Sequence, residues 1–290
     1  MAWVLLTLLA AFSQSWRNAL QSQLSCHTSS LAVTLARFIV AGPLAGVYLV
    51  VLYQVQPTQL ITPSPTLLYY VVGAALMQIL ATALMVRLFK MNNYAVGAGL
   101  AKSEALVAAI LGMLFFGSTL SLLGWFGVIL GAIAVMLLSG PSLRALNGPT
   151  VLLGLACGSS FALTSLWVRQ ASLSSGLTFP HSAAWVLLFV ITLQTLILLA
   201  YLGYKDRPAL LSLWRYRRLT AWISLTSCIG SIGWFSAMSL EHVAYVKTLG
   251  QVEVFFTMLI SYLWLKQPVK RRDSLGLLLI AIAAIAVMWG

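Results

Sequence analysis

Acidic residues are scarce in this chain of 290 residues, which has five Asp and Glu in total against 17 Lys and Arg. Charged residues make up only 8% of the chain, whereas soluble domains have about a quarter. Hydrophobic residues make up 61%, and the mean hydropathy is +0.96. This composition excludes an ordinary soluble domain and predicts an all-α integral membrane protein.

Cysteine and catalytic motifs are also rare. The three cysteines, Cys26, Cys157 and Cys228, lie far apart without CxxC or Cys/His spacing, which argues against a disulfide framework and a zinc site. The chain has no P-loop, nucleophile elbow or cluster with metal-ligand spacing. We therefore expect no metal, no cofactor and no enzymatic activity.

Positive charge is abundant, with a formal net charge of +12. The basic residues lie between apolar blocks rather than along one amphipathic face. This distribution is typical of topology signals in membrane proteins and does not indicate a nucleic-acid partner.

Apolar windows of about 20 residues predict ten transmembrane helices. Prolines mark the loop after the second span, and glycines and prolines mark a hinge near the middle of the chain. The predicted spans are residues 2–20, 29–53, 67–89, 94–116, 120–139, 150–169, 181–203, 219–239, 244–265 and 274–290.

The chain contains an internal repeat. At an offset of 149 positions, Glu104 aligns with Glu253 and Gly127 with Gly276. The pattern predicts one five-helix unit at residues 1–140, a linker at 141–149 and a second unit at 150–290. Because each unit has an odd number of helices, the second enters the membrane from the opposite side, giving two inverted five-helix repeats.

Loop charges support the inversion. The loops after spans two and four lack Lys and Arg, whereas their counterparts after spans seven and nine are basic. The positive-inside rule then places the loops after spans three, five, seven and nine in the cytoplasm and both termini outside. Basic residues at predicted span ends are interpreted as interfacial anchors: Arg17, Arg87, Lys90 and Arg169.

Three features resemble a known family. They are the ARF sequence at 36–38, the small residues that open spans four and nine, and the endings LGWFGVILGAIAVML and SLGLLLIAIAAIAVM. With ten spans in two repeats, the chain resembles the EamA-type branch of the drug/metabolite transporter superfamily. The resemblance implies a secondary transporter, often an exporter of amino acids, metabolites or drugs, with alternating access around a central cavity. We expect it in the plasma membrane, the inner membrane of a bacterium.

Two acids lie inside predicted spans. Glu104 and Glu253 are each about ten residues into a helix, which corresponds to a depth of roughly 15 Å, near the bilayer midplane. We interpret them as a cavity pair that binds a cationic group or exchanges protons. The alternative is a structural ion pair or a hydrogen-bonded strut between helices.

Further polar residues flank these acids: Lys102 before Glu104, and Lys247 and Gln251 before Glu253. On a continuous helix, Lys247 and Gln251 share a face that Glu253 does not. Either the Lys or the Glu therefore faces a neighbouring helix unless the segment is unwound. We favour the level of Gln251 and Glu253 as cavity-facing, and Lys247 snorkelling to the interface is an equal alternative.

Four other residues are candidates for the site. Arg37 lies inside span two, as the buried partner of a Glu or as a clamp for a substrate carboxylate or phosphate. Trp234, beside two glycines, either faces substrate or packs against those glycines. Tyr94 and Tyr245 open spans four and nine and are candidate gates.

The leading hypothesis is a secondary active exporter of small polar or amphipathic metabolites that are amino-acid-like, zwitterionic or cationic. Its partners are a small-molecule substrate, the lipid bilayer and candidate coupling protons at Glu104 and Glu253, in a monomer or homodimer. An alternative is an organic-anion or nucleotide-sugar-like exchanger that uses Arg37 and Lys102. An alternative from another class is a non-transporting membrane scaffold or lipid-handling protein.

Overall fold

The protein is described by a computed structural model covering residues 1–90, 101–139, 148–265 and 271–289. Within these ranges the chain forms helices joined by short connections, as expected for an all-α membrane protein. The helices are α1 (Ala2–Ser25), α2 (Ser30–Ala36), α3 (Ala41–Val55), α4 (Pro65–Phe89), α5 (Glu104–Phe116), α6 (Leu122–Ser139), α7 (Gly148–Leu173), α8 (His181–Lys205), α9 (Arg207–Arg215), α10 (Arg217–Leu240), α11 (Val243–Leu249), α12 (Glu253–Leu265) and α13 (Arg271–Trp289).

Among the described residues, five segments are long and apolar enough to cross a membrane: the α2–α3 pair, α4, α7, α8 and α10. Shorter apolar stretches lie in α5, α6 and α13. The protein is thus a multi-pass membrane protein. That all ten predicted segments span the bilayer remains a prediction for the shorter and more polar helices.

Local sequence explains several helix starts. Ser64 caps α4 by accepting a hydrogen bond from the Leu67 N–H at 3.1 Å, and Pro65 occupies the first turn, where its missing N–H has no cost. Asp206 caps α9 by accepting from the Ala209 N–H at 3.2 Å. The short helix α9 lies between the predicted spans 181–203 and 219–239, because nine residues are too few to cross a bilayer.

The helices pack in pairs that follow the repeat. The most extensive contacts join α1 to α10, α4 to α7 and α6 to α13. The offset of 149 residues maps the first pair onto the second and the third pair onto itself. Contacts of α5 with α7 and of α1 with α12 are related in the same way. The fold therefore has the two-repeat architecture expected from the sequence.

Three predicted spans are interrupted rather than continuous. The span at 29–53 breaks at a turn of residues 37–40, between α2 and α3. The span at 244–265 breaks at a 3₁₀ turn, Gly250–Val252, between α11 and α12. In the span at 94–116, residues 102–103 form a turn just before α5. The last two breaks are equivalent in the repeat.

The two ends of the bundle differ in charge. Hydrogen bonds from Lys90 Nζ to Thr28 O (2.7 Å) and from Ser212 Oγ to Thr28 Oγ1 (2.6 Å) bring the turn after α1, the end of α4 and α9 together. We call this the basic end. The described connections at the other end, residues 56–64, 117–121, 174–180 and 241–242, contain no Lys or Arg.

Gly127 permits a close contact between α6 and α13. A Cβ at this position would lie 2.9 Å from the backbone oxygen of Ala283 and 2.7 Å from Val287 Cγ1, both on α13. Only glycine lets α6 approach α13 this closely.

Gly127→Ala is expected to lower the free energy of unfolding by about 1–3 kcal/mol, the usual range for overpacking. Thermal unfolding in detergent measures the effect. Gly46→Ala is the matched control, because no atom lies within 4 Å of a Cβ built there. Equal melting temperatures for the two variants would contradict the close packing of α6 on α13.

Candidate functional site

The two equivalent breaks place a glutamate at the start of each half-helix. Glu104 begins α5 and Glu253 begins α12, and both are buried. A carboxylate in the first turn faces the positive end of the helix dipole and the free N–H groups there, which stabilises its charge. The breaks thus provide a polar environment for two acids inside an apolar bundle.

Each acid pairs with a lysine from the other interrupted segment. Lys102 Nζ forms an ion pair and hydrogen bond with Glu253 Oε2, and Lys247 Nζ lies 3.6 Å from Glu104 Oε1. We call these the crossed ion pairs. They join the two repeats directly.

A continuous helix would place Lys247 and Glu253 on different faces, and the 3₁₀ turn between them changes this arrangement. Lys247 precedes the 3₁₀ turn and Glu253 follows it, and both reach the crossed ion pairs. Lys247 is 7% exposed, so it is buried rather than extended to an interface in this structure. Sequence periodicity did not reveal this break, because a 3₁₀ turn of three residues leaves the apolar pattern almost unchanged.

Helix α1 contributes amides that the sequence analysis missed. Gln14 Nε2 donates to Glu253 Oε2 at 2.5 Å, and Asn18 Nδ2 donates to Glu253 Oε1 at 2.7 Å. Together with Arg17 and Gln21, these residues follow the i, i+3, i+4, i+7 spacing of one helix face. That polar stripe, in a segment predicted to cross the membrane, was the available signal.

The interpretation of Arg17 as an interfacial anchor is wrong. Its side chain is 1% exposed, because α1 continues to Ser25, five residues beyond the predicted end. Its Nε and Nη2 donate to Asn18 Oδ1 at 3.3 and 2.9 Å, and Nη1 has no hydrogen-bond partner in the described ranges.

Arg37 lies in the turn between α2 and α3, where it is 2% exposed. Its Nε donates to Ser227 Oγ at 3.1 Å and its Nη1 to Thr82 Oγ1 at 2.8 Å. No acid forms an ion pair with it in the part of the chain described here. The structure therefore does not show Arg37 as the ion-pair partner of a Glu, and its role as a substrate clamp remains a prediction.

Trp234 connects the crossed ion pairs to α1. The Lys247 ammonium lies 4.3 Å from the centroid of its ring, and its Nε1 donates to Gln14 Oε1 at 3.0 Å. A cation over an indole face is attracted by the ring quadrupole. Trp234 therefore contacts both Lys247 of the crossed ion pairs and Gln14 of α1.

The remaining candidates lie apart from these contacts. Gln251 is 2% exposed and neither amide atom has a hydrogen-bond partner within the described residues. The Tyr245 hydroxyl accepts from the Ser121 N–H at 3.2 Å, near the non-basic end of the bundle. Tyr94 lies outside the described residues.

Arg169, predicted to be an interfacial anchor, lies near the non-basic end of the bundle. Its Nη1 donates to the backbone oxygens of Met238 (2.8 Å) and Glu241, at the C-terminus of α10, where a cation also complements the helix dipole. Burial and the neighbouring Arg169 charge lower the pKa of His242 in the connection to α11, against the opposing effect of Glu241.

The ionisable residues at and around the crossed ion pairs, which we call the polar cluster, carry an excess of positive charge. Four of these residues are basic and two are acidic, and their charges interact with one another. They are Arg17, Arg37, Lys102, Lys247, Glu104 and Glu253. Both acids are already paired with lysines, so the two arginines have no buried counter-charge of their own. Such a centre attracts an anionic group.

The described residues contain no group of three or more His, Cys, Asp or Glu side chains that could hold a metal ion.

Comparison with known proteins identifies the family. The sequence profile of the EamA-like transporter family matches residues 1–140 and 148–289. No curated protein sequence matches the chain. One crystal structure, of a protein for which no function is stated, aligns with a TM-score of 0.74 at 15% identity, over 100% of this chain and 96% of that chain. At this identity the structure supports the fold alone. The profile match to both halves shows that the chain belongs to the EamA-like transporter family, within the drug/metabolite transporter superfamily.

Proposed function

We propose that this membrane transporter is a secondary active exporter that alternates between two states around the polar cluster. The crossed ion pairs carry the proposal, since they connect the two repeats at the breaks of two helices. In this proposal the pairs hold one arrangement and release when a competing charge arrives, as interface salt bridges repack in other switching proteins. Membership of a transporter family points to transport rather than catalysis.

The substrate is proposed to carry a carboxylate. Arg17 and Arg37 are buried, lack acidic partners in the described ranges and have the planar geometry that binds a carboxylate. An amino-acid-like zwitterion satisfies this requirement if its ammonium group displaces a lysine from Glu104 or Glu253. A purely cationic substrate is disfavoured by the positive excess.

An organic anion or phosphate ester is the second candidate. It is favoured by the same two arginines and by Lys102, which is the least buried of the paired basic residues, with 19% of its side chain exposed. An approaching anion competes with Glu253 for this lysine. The two candidates differ in whether the substrate also needs a positive group.

Protons are the proposed coupling ion. Protonation of Glu253 removes the charge that holds Lys102, and thereby weakens the connection between repeats. By the positive-inside rule we assign the basic end to the cytoplasm and both termini to the outside.

Counterflow in proteoliposomes tests the proposal. Vesicles containing the protein and an unlabelled amino acid, organic anion or organic cation are mixed with labelled compound, with and without a pH gradient. We expect saturable exchange for carboxylate-bearing compounds and none for simple cations. Exchange of cations alone would overturn the substrate class, and no exchange of any compound would support the non-transporting scaffold.

A further inference from the structure

We propose that the basic end carries a binding site for the phosphate headgroup of an anionic phospholipid. An open cavity of about 590 Å³ is lined there by Arg215, Arg217 and Arg218, together with Trp214, Gln23 and His27. Its volume lies within the usual range for small-ligand sites, roughly 300–1,000 Å³. The site is separate from the polar cluster and does not depend on the proposed transport function.

The charges around the cavity need a counter-ion. Arg215, Arg217 and Arg218 are exposed, and none forms an ion pair with an acid among the described residues. Arg217 and Arg218 open α10, whose first turn has no acidic residue and whose N-cap, Tyr216, makes no side-chain capping bond. Two cations at the positive end of a 24-residue helix repel its dipole. A bound phosphate group relieves this repulsion and accepts bonds from guanidinium groups.

The position of the cavity favours a lipid over a soluble anion. It adjoins α9, which is amphipathic and presents Leu211 and Trp214, 69% and 74% exposed. Large apolar side chains beside arginines are typical of a helix that lies in the membrane interface. The Arg217 guanidinium lies 6.0 Å above the Trp214 ring, so charge and apolar surface meet at the cavity. This is the arrangement that a phosphate attached to acyl chains requires.

Opposite the α9–α10 junction, the other wall is formed by α1 and by the turn after it, which contains His27. The His27 ring stacks on Tyr216 with centroids 4.7 Å apart, and Gln23 lies one turn earlier on α1. The Gln23 amide and the His27 imidazole supply hydrogen-bond donors for a phosphate diester or its glycerol. The site therefore combines α1 of the first repeat with α9 and α10 of the second.

Lipid-dependent thermal stability provides the test. Purified protein in detergent is melted with added phosphatidylglycerol, with phosphatidylcholine or with inorganic phosphate, and bound lipid is counted by native mass spectrometry. We expect phosphatidylglycerol to raise the melting temperature and the other two additives to have little effect. The triple variant Arg215→Gln/Arg217→Gln/Arg218→Gln should bind phosphatidylglycerol roughly a hundredfold more weakly, since each basic side chain contributes a factor of about five.

Replacing three other cations at the basic end provides a matched control. Arg87→Gln/Lys205→Gln/Arg207→Gln removes equal charge outside the cavity and should keep phosphatidylglycerol binding. Equal losses in both triple variants would show diffuse attraction and overturn the site, as would an equal response to inorganic phosphate. If the first triple variant does not fold, the three single variants decide: each should weaken binding, and unchanged binding in all three refutes the proposal.

Discussion

Replacing Glu253 with glutamine is expected to lower the free energy of unfolding by about 3–5 kcal/mol, the cost of leaving a buried charge without its partner. Glu253 pairs with Lys102 and also accepts from Gln14 and Asn18. A glutamine offers one carbonyl oxygen and no charge, so the lysine loses its counter-charge and at least one amide loses its acceptor. Transport should be lost as well, because these contacts join the two repeats.

The measurement combines thermal unfolding with counterflow. Asp206→Asn is the matched control, since asparagine is as good a helix cap as aspartate and the site lies far from the membrane centre. The double variant Lys102→Gln/Glu253→Gln should be more stable than Glu253→Gln alone, because no unpaired charge remains, yet it should stay inactive. A double variant that is less stable than either single change would argue against the ion pair.

Replacing Arg17 with methionine is expected to abolish transport without lowering the free energy of unfolding. Arg17 is buried, has an unpartnered Nη1 within the described residues and belongs to a cluster with excess positive charge. An apolar side chain of similar length removes the desolvation cost of a buried charge that has no acidic partner. Loss of a charged hydrogen bond of about 1.5–3 kcal/mol to the substrate carboxylate predicts roughly 10- to 150-fold weaker binding.

Substrate-dependent stabilisation separates these effects. The melting temperature of Arg17→Met without substrate should equal or exceed that of the wild type, and added substrate should no longer raise it. Arg87→Met, an exposed arginine at the end of α4, is the control and should retain the substrate response. A melting temperature well below that of the wild type would mean that Arg17 serves to stabilise the fold.

The fold and the central acids were accessible from the sequence, since hydropathy and the offset between Glu104 and Glu253 depend on residue type and spacing alone. Their partners were not. Pairing of Lys102 with Glu253 depends on how two interrupted segments cross, which is a tertiary property. Arg17 was misplaced because hydropathy windows end where polar residues begin, whereas α1 continues to Ser25 with those residues facing inward. The helix α9 was missed since its amphipathic pattern covers only nine residues.

The pairing of α1 with α10, α4 with α7 and α6 with α13 has a consequence for biosynthesis. Every one of these contacts joins a helix of the first repeat to a helix of the second. When the ribosome has completed only the first repeat, α1, α4 and α6 lack their main partners, and the buried amides of α1 still lack Glu253. The nascent first half is therefore expected to remain incompletely assembled in the membrane until α7, α10 and α13 have been inserted.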